Sequence, residues 1–274
     1  MPARARADCD ESNRGRAGRP GTAGVVELPE PPCAVPGRSI IDPAVDRGSF
    51  SEEELPLVGG MSTAGVVRVG DTVRRPQNAN SDYVHGLLLH LERCGFDGAP
   101  RYLGVDDRGR EVLTFIEGFA PPHNGFRLTE KAVRAGARLV RAVHDLTQGT
   151  PFATGSEVAA HRNLSQPNFI FRDMVPIAII DWDSTRPGTR VANLGEFLWA
   201  FVHPALYGDG ELAARMLRAA VDEYGYRGTG LVDAMVAPVR RWVREDPDPG
   251  EWERHELEYM ERNAPLFEAS LRTP

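Results

Sequence analysis

His161, Asn163, Asn168 and Asp181 are the residues through which this chain could do chemistry. They fall in one stretch, His161-Arg162-Asn163-Leu164-Ser165-Gln166-Pro167-Asn168, which runs on through Phe169-Ile170-Phe171 to Ile180-Asp181-Trp182-Asp183. Residues 169–171 and 177–180 are β-branched or aromatic runs around a polar turn, so they should pair as a hairpin. Centring that hairpin between Met174 and Val175 sets Asn168 opposite Asp181. An amide oxygen and a carboxylate at the open end of a hairpin suit Mg²⁺, which takes oxygen donors and keeps some waters. A turn-flanking Asn and a strand-ending Asp that cap nearby backbone would leave the same trace. Spacing alone does not separate the two readings.

The elements that must hold this stretch are legible on either side of it. Residues 65–69 and 72–75 flank Gly70-Asp71, a hairpin signal. Residues 81–91 place Val84, Leu87, Leu88 and Leu91 at helical spacing before a stop at Gly95. Residues 101–105 and 110–116 flank Asp106-Asp107-Arg108-Gly109 and give a second hairpin. Beyond a loop at Pro121-Pro122 and Asn124-Gly125, Thr129 is placed to cap a helix with Val133, Ala137, Val140 and Val143 on its inner stripe. Residues 197–201, 211–224, 231–243 and 251–263 also read as helical. The class is α+β: a β-rich lobe over 55–117, then a mostly helical lobe over 118–274. Residues 1–54, rich in Arg, Gly, Pro and Ala, read as a flexible tail.

Composition narrows the chemistry. Thirty-nine acids against 32 bases leave a net charge of -7, which offers phosphate backbones no general attraction, so no nucleic-acid partner is expected. No run of 18 apolar residues and no signal-peptide core occur, so no membrane partner is expected and the location is read as cytoplasmic. Cys9, Cys33 and Cys94 are too few and too scattered for a disulfide framework and read as free thiols. All basic residues but Lys131 are Arg, and Lys131 sits in a helical pattern. That removes a Walker-type phosphate loop, a Lys Schiff base and a Ser-Lys pair. Gly60-Met61-Ser62-Thr63-Ala64 falls short of a nucleophile elbow and precedes a strand. His144-Asp145, Trp182, Trp199 and Trp242 read as structural.

The stretch from His161 to Trp182 resembles the catalytic loop and metal-binding hairpin of the aminoglycoside phosphotransferase and choline kinase-like family, whose pattern is His-x-Asp-x-x-x-x-Asn followed by Ile-Asp-Trp or Ile-Asp-Phe. His161, Asn168 and Ile180-Asp181-Trp182 match. The resemblance covers residues 55 to about 205 and implies a bilobal protein-kinase-like fold with ATP between the lobes, metal on Asn168 and Asp181, and His161 in the catalytic loop. It also implies that the Gly59-Gly60-Met61-Ser62-Thr63 turn covers the nucleotide, with Thr63 among its contacts. Arg74 then falls where the family places a phosphate-binding Lys, with Arg75 on the other face. Its helix Glu partner has no clear match, and His85 and Glu92 are the nearest candidates. The Thr114 carbonyl and the Ile116 amide would read adenine, and Asp183 could be a further metal or phosphate contact.

Two positions depart from the pattern. Asn163 stands where the family has its catalytic Asp, and an amide cannot take a proton from an acceptor hydroxyl. Such assistance is worth ~10²- to 10⁴-fold. Phosphoryl transfer nevertheless depends more on positioning and charge neutralisation, so Asn163 could still orient a hydroxyl. Asn193 replaces an Asp that is mainly structural. The resemblance thus implies an ATP- and Mg²⁺-dependent phosphotransferase acting on a hydroxyl of a small molecule, natural product or modified peptide. The alternatives are a pseudokinase-type nucleotide- or ligand-binding protein without turnover, and a scaffold without nucleotide. Eight acids between Glu245 and Glu261 could shape a site for a cationic acceptor or form a solvated helix face.

Overall fold

The computed structural model describes residues 53–57, 65–122 and 125–272. The tail before Glu53, the Gly59–Thr63 turn with Thr63, and two of the cysteines, Cys9 and Cys33, lie outside the described residues.

The β-rich part is a five-stranded antiparallel sheet. Its strands are β1 (Leu55–Pro56), β2 (Val67–Val69), β3 (Thr72–Pro76), β4 (Tyr102–Val105) and β5 (Arg110–Thr114), in the order β1-β2-β3-β5-β4. Val69 pairs with Thr72 across the two-residue Gly70-Asp71 turn, where Gly70 takes φ 56°, as the first hairpin requires. Helix α1 (Ser81–Arg93) follows β3 and buries Val84, Leu87, Leu88 and Leu91 in a core they share with Leu113 of β5. Burying side chains of this size contributes ~1.5–3 kcal/mol each.

The helical part opens with α2 (Glu130–Thr147), capped by the Thr129 hydroxyl, which accepts from the Ala132 amide at 3.3 Å. Strand β6 (Val158–Ala160) leads into the loop over residues 161–168, and β7 (Phe169–Arg172) and β8 (Val175–Ile179) form the hairpin. Strand β9 (Arg186–Gly188) pairs back onto β6. Helices α3 (Arg190–Phe197), α4 (Gly210–Tyr224), α5 (Leu231–Glu245) and α6 (Glu251–Arg272) complete it, with α2 on α4 and β8, α3 on α5, and α6 on α4 and α5. The core between β7 and the end of α3 is aromatic: Phe169 and Phe171 on one face of β7 meet Phe197 and Phe201, with the Phe169 and Phe201 centroids 4.3 Å apart.

Three expectations are corrected. The hairpin turns on Asp173 and Met174, both at positive φ (50° and 59°), and β8 carries an extra residue at Ile177 between the pairs Phe171 with Pro176 and Ile170 with Ala178. Asn168 therefore opposes Ile180, whose amide donates to its carbonyl at 2.8 Å, and Asp181 lies one residue further on. The helix expected at 197–201 begins at Arg190, where Thr189 caps it, and residues 198–202 form a π turn at its end. Its Arg190, Asn193 and Glu196 interrupt the apolar pattern that would have announced it. Helix α6 runs past Pro265 to Arg272, nine residues beyond the expected end at Asn263. Among the described residues no helix is long and apolar enough to cross a membrane.

Candidate functional site

Strand β3 places two adjacent arginines on opposite faces, as the alternation of a strand dictates. Arg74 lies on the face of the second hairpin turn, 3.6 Å from an Asp106 oxygen. Arg75, on the other face, is buried and is the one that reaches the loop after β8. Its Nη1 lies 3.4 Å from Asp181 Oδ1, its Nη2 contacts Asp183 Oδ2, and its Nε lies 3.0 Å from Glu111 Oε1. The Nε–H does not point at that oxygen, so this last contact is a charge pair rather than a directed hydrogen bond. The second Glu111 oxygen accepts from His85 at 2.7 Å, and the His85 ring stacks on Tyr102. The partner sought on α1 is thus Glu111 of β5, with His85 behind it, while Glu92 faces Arg101 at 3.9 Å. Three carboxylates around one buried guanidinium hold β3, β5 and the Asp181 loop in register.

Asp181 sits in the left-handed region at φ 60°, ψ 62°, a conformation costly for a residue with a side chain and found where a structure over-determines it. Asp183 is not on an extended chain but in the short 3₁₀ turn Trp182–Ser184, anchored from α1 by Asn80, whose Nδ2 donates to the Asp183 and Thr185 carbonyls. Trp182 is buried and donates its indole N–H to the Ile179 carbonyl.

The loop over residues 161–168 is tied to the same turn. His161 is fully enclosed, and its Nε2–H donates to the Ile180 carbonyl at 3.0 Å. Burial pushes its pKa down to about 4, so the ring is neutral, and among the described residues its Nδ1 has no hydrogen-bond partner. The His161 amide donates to Asn193 Oδ1, which also accepts from His144 Nε2 at 3.0 Å. Asn193 is therefore part of the scaffold beneath the loop. Asn168 donates from Nδ2 to the Asn163 carbonyl at 2.9 Å, and the Ser165 hydroxyl donates to Asn163 Oδ1 at 3.2 Å. Among the described residues no hydrogen bond ends on Asn168 Oδ1, which leaves that oxygen for a cation. No three His, Cys, Asp or Glu side chains among them form a ready-made metal cage. A donor set of Asn168 Oδ1 and Asp181 fits Mg²⁺, whose remaining positions are commonly taken by water and phosphate.

Thr114 ends β5, with its amide donating to the Arg101 carbonyl and its hydroxyl accepting from the Arg101 amide. From there the chain passes Ile116 to Gly118 and crosses to the helical part, where Phe119 exchanges backbone hydrogen bonds with Phe171 at 3.0 and 2.8 Å. On the other side of the catalytic loop residues, Ser165, Gln166 and Pro167 border a cleft of about 140 Å³ walled by Trp199, Trp242, Trp252 and His203. Trp242 and Trp252 are 40% and 50% exposed, so Trp242, read from sequence as a core or lobe-packing residue, is not in the core but packs on Trp199 and Trp252 at the cleft wall. Glu256 is buried behind His203 with its Oε2 at 3.4 Å, and among the described residues its Oε1 has no hydrogen-bond partner.

No protein-family model matches the chain. The trifolitoxin immunity protein of Rhizobium leguminosarum bv. trifolii is 31% identical over 215 residues, which span 67% of this chain and 80% of that protein. The chain belongs to the family of that immunity protein. Its fold is similar to that of aminoglycoside phosphotransferases of known structure. The gentamicin complex of APH(2'')-IIa aligns with a TM-score of 0.51 at 12% identity, over 81% of this chain and 94% of that one. The aminoglycoside phosphotransferase APH(3'')-Id of Streptomyces rimosus, in complex with ADP and streptomycin, aligns at 0.50 and 13% identity, over 82% and 95%.

Against this fold, the sequence motif located Asn163, Asn168 and Asp181 because they are close in the chain. Arg75, Glu111 and the tryptophan cleft come together from separate segments. The alternation of β3 was the available signal for Arg75, since only one of two adjacent arginines can face the Asp181 loop.

Proposed function

We propose that this protein is an ATP- and Mg²⁺-dependent phosphotransferase acting on a hydroxyl of a small molecule or modified peptide. The observation that carries the reading is the convergence of Arg75, Asp181, Asn168 and the Asn163 loop at one place between sheet and helices. Bound nucleotide would supply the phosphoryl group, and Mg²⁺ on Asn168 and Asp181 would neutralise its charge. Arg75 is placed to turn from Asp181 and Asp183 toward phosphate oxygens, with Thr114 and Ile116 as the stretch that reads the base. Arg74 faces Asp106 and has no part in this arrangement. His161 positions the loop, since its one N–H is committed to Ile180 and its pKa is too low for it to be charged at neutral pH. Asn163 orients the acceptor hydroxyl without accepting its proton.

The acceptor would lie over Ser165 to Pro167 in the tryptophan cleft, whose aromatic walls suit a cationic or planar group. The likeness to a trifolitoxin immunity protein favours a toxin or antibiotic as that acceptor, inactivated by the transfer. The second reading, a binding protein without turnover, rests on the Asn163 amide alone. Assay of phosphoryl transfer from ATP over a panel of antibiotics and modified peptides, in wild type and Asn163→Asp, separates them. A slow transferase gains up to ~10²-fold in rate with little change in nucleotide affinity. If Asn163 is adapted to its acceptor, wild type turns over and the variant does not. Absence of transfer and of ATPase activity in both proteins selects the binding reading.

A further inference from the structure

A second cleft, sharing no lining residue with the tryptophan cleft, encloses about 450 Å³ beside the catalytic loop. Ala160 of β6, Gly188 of β9, the start of α3 and one face of α5 form its walls, and Arg162, Arg240, Arg241 and Arg244 line it. Glu196 is the one carboxylate among its lining residues, and it accepts from Asn193 Nδ2 at 3.0 Å rather than from an arginine. Among the described residues neither Arg162 nor Arg241 has a carboxylate within ion-pair distance, and the same holds for Arg186 on β9. Arg240 is paired with Glu261, and among the described residues Arg244 meets only its chain neighbour Glu245, at 3.7 Å. Partial burial, first, and then the charges of Arg186 and Arg241 lower the pKa of Arg162, although the Glu196 charge acts in the opposite direction, so the cations outweigh the one carboxylate near them. Arg162 is held there by a backbone at φ 65°, itself a costly conformation. In a chain of net charge -7, this concentration of cations does not reflect general basicity.

We propose that this cleft is a binding site for a multiply charged oxyanion, the phosphate or polyphosphate group of a small ligand, distinct from the nucleotide cleft. Guanidinium forks from α5 and from the catalytic loop would grip its oxygens bidentately. The test is calorimetric titration of the full chain with pyrophosphate, and with citrate as a carboxylate polyanion, at two salt concentrations. The proteins compared are wild type, the double variant Arg241→Gln/Arg244→Gln, and Arg241→Lys/Arg244→Lys. These side chains are exposed on α5, so folding should survive, and melting temperatures check it. Binding to wild type that weakens at least tenfold in the Gln variant, is partly kept in the Lys variant, and falls with salt supports the site. Pyrophosphate at least tenfold tighter than citrate, with the binding lost in the Gln variant, supports a phosphate ligand; citrate binding as tightly as pyrophosphate overturns the phosphate assignment. No binding to wild type, or equal binding to wild type and the Gln variant, overturns the proposal.

Discussion

Arg75 is the one cation that joins β3, β5 and the Asp181 loop among the described residues. It is buried against Glu111, Asp181 and Asp183, so its removal would leave three carboxylates facing one another without a cation. Breaking a buried ion pair by removing one partner costs about 3–5 kcal/mol. We expect Arg75→Met to lower unfolding stability in urea by that amount and to weaken nucleotide binding. Arg74→Met should cost under ~1 kcal/mol, because Asp106 keeps its bonds from Arg110 at 2.8 and 2.9 Å. Equal losses in the two variants would contradict the assignment of faces. The sequence offered both arginines and a motif for one of them. It could not choose, because a single residue of register decides which face of β3 meets the Asp181 loop.

At the scale of elements, local signals were legible wherever they were strong. Gly70-Asp71 marked the first hairpin, Thr129 the start of α2, and the Val-Leu spacing of α1 its buried face. The hairpin of β7 and β8 was also legible, but its register was not: the bulge at Ile177 and the turn at Asp173-Met174 go with the packing of Phe169 and Phe171, which no local pattern reports. The pairing of β6 with β9 joins segments too far apart in the chain for periodicity to reveal. The crossing from sheet to helices depends on Gly118, at φ 149°, where a Cβ would stand 2.5 Å from the Phe171 carbonyl oxygen. Gly118→Ala should destabilise the protein by about 1–3 kcal/mol and disturb the Thr114 to Ile116 stretch. An unchanged melting temperature together with unchanged nucleotide binding would show that this crossing does not set the site.

For the whole molecule, two buried neutral histidines tie the helical part together and make it sensitive to acid. His144 bonds Tyr224 and Asn193, and burial pushes its pKa down to about 4, as it does for His161. In the unfolded chain both titrate near 6.5, so between pH 6.5 and 4 only the unfolded state takes up protons. Stability should therefore fall as pH drops through that window, by on the order of 3 kcal/mol per histidine, and this contribution should level off below pH 4. Melting temperature measured against pH should drop less steeply in His144→Gln than in wild type. Parallel curves would show that His144 is not the group responsible. The central claim, that Asp181 and Asn168 hold the metal through which nucleotide binds, is tested most directly by calorimetry of ATP binding with and without Mg²⁺. The account expects Mg²⁺-dependent binding in wild type, near-unchanged affinity in Asn163→Ala, and its loss in Asp181→Ala. Equal ATP affinity in wild type and Asp181→Ala, indifferent to Mg²⁺, would contradict it.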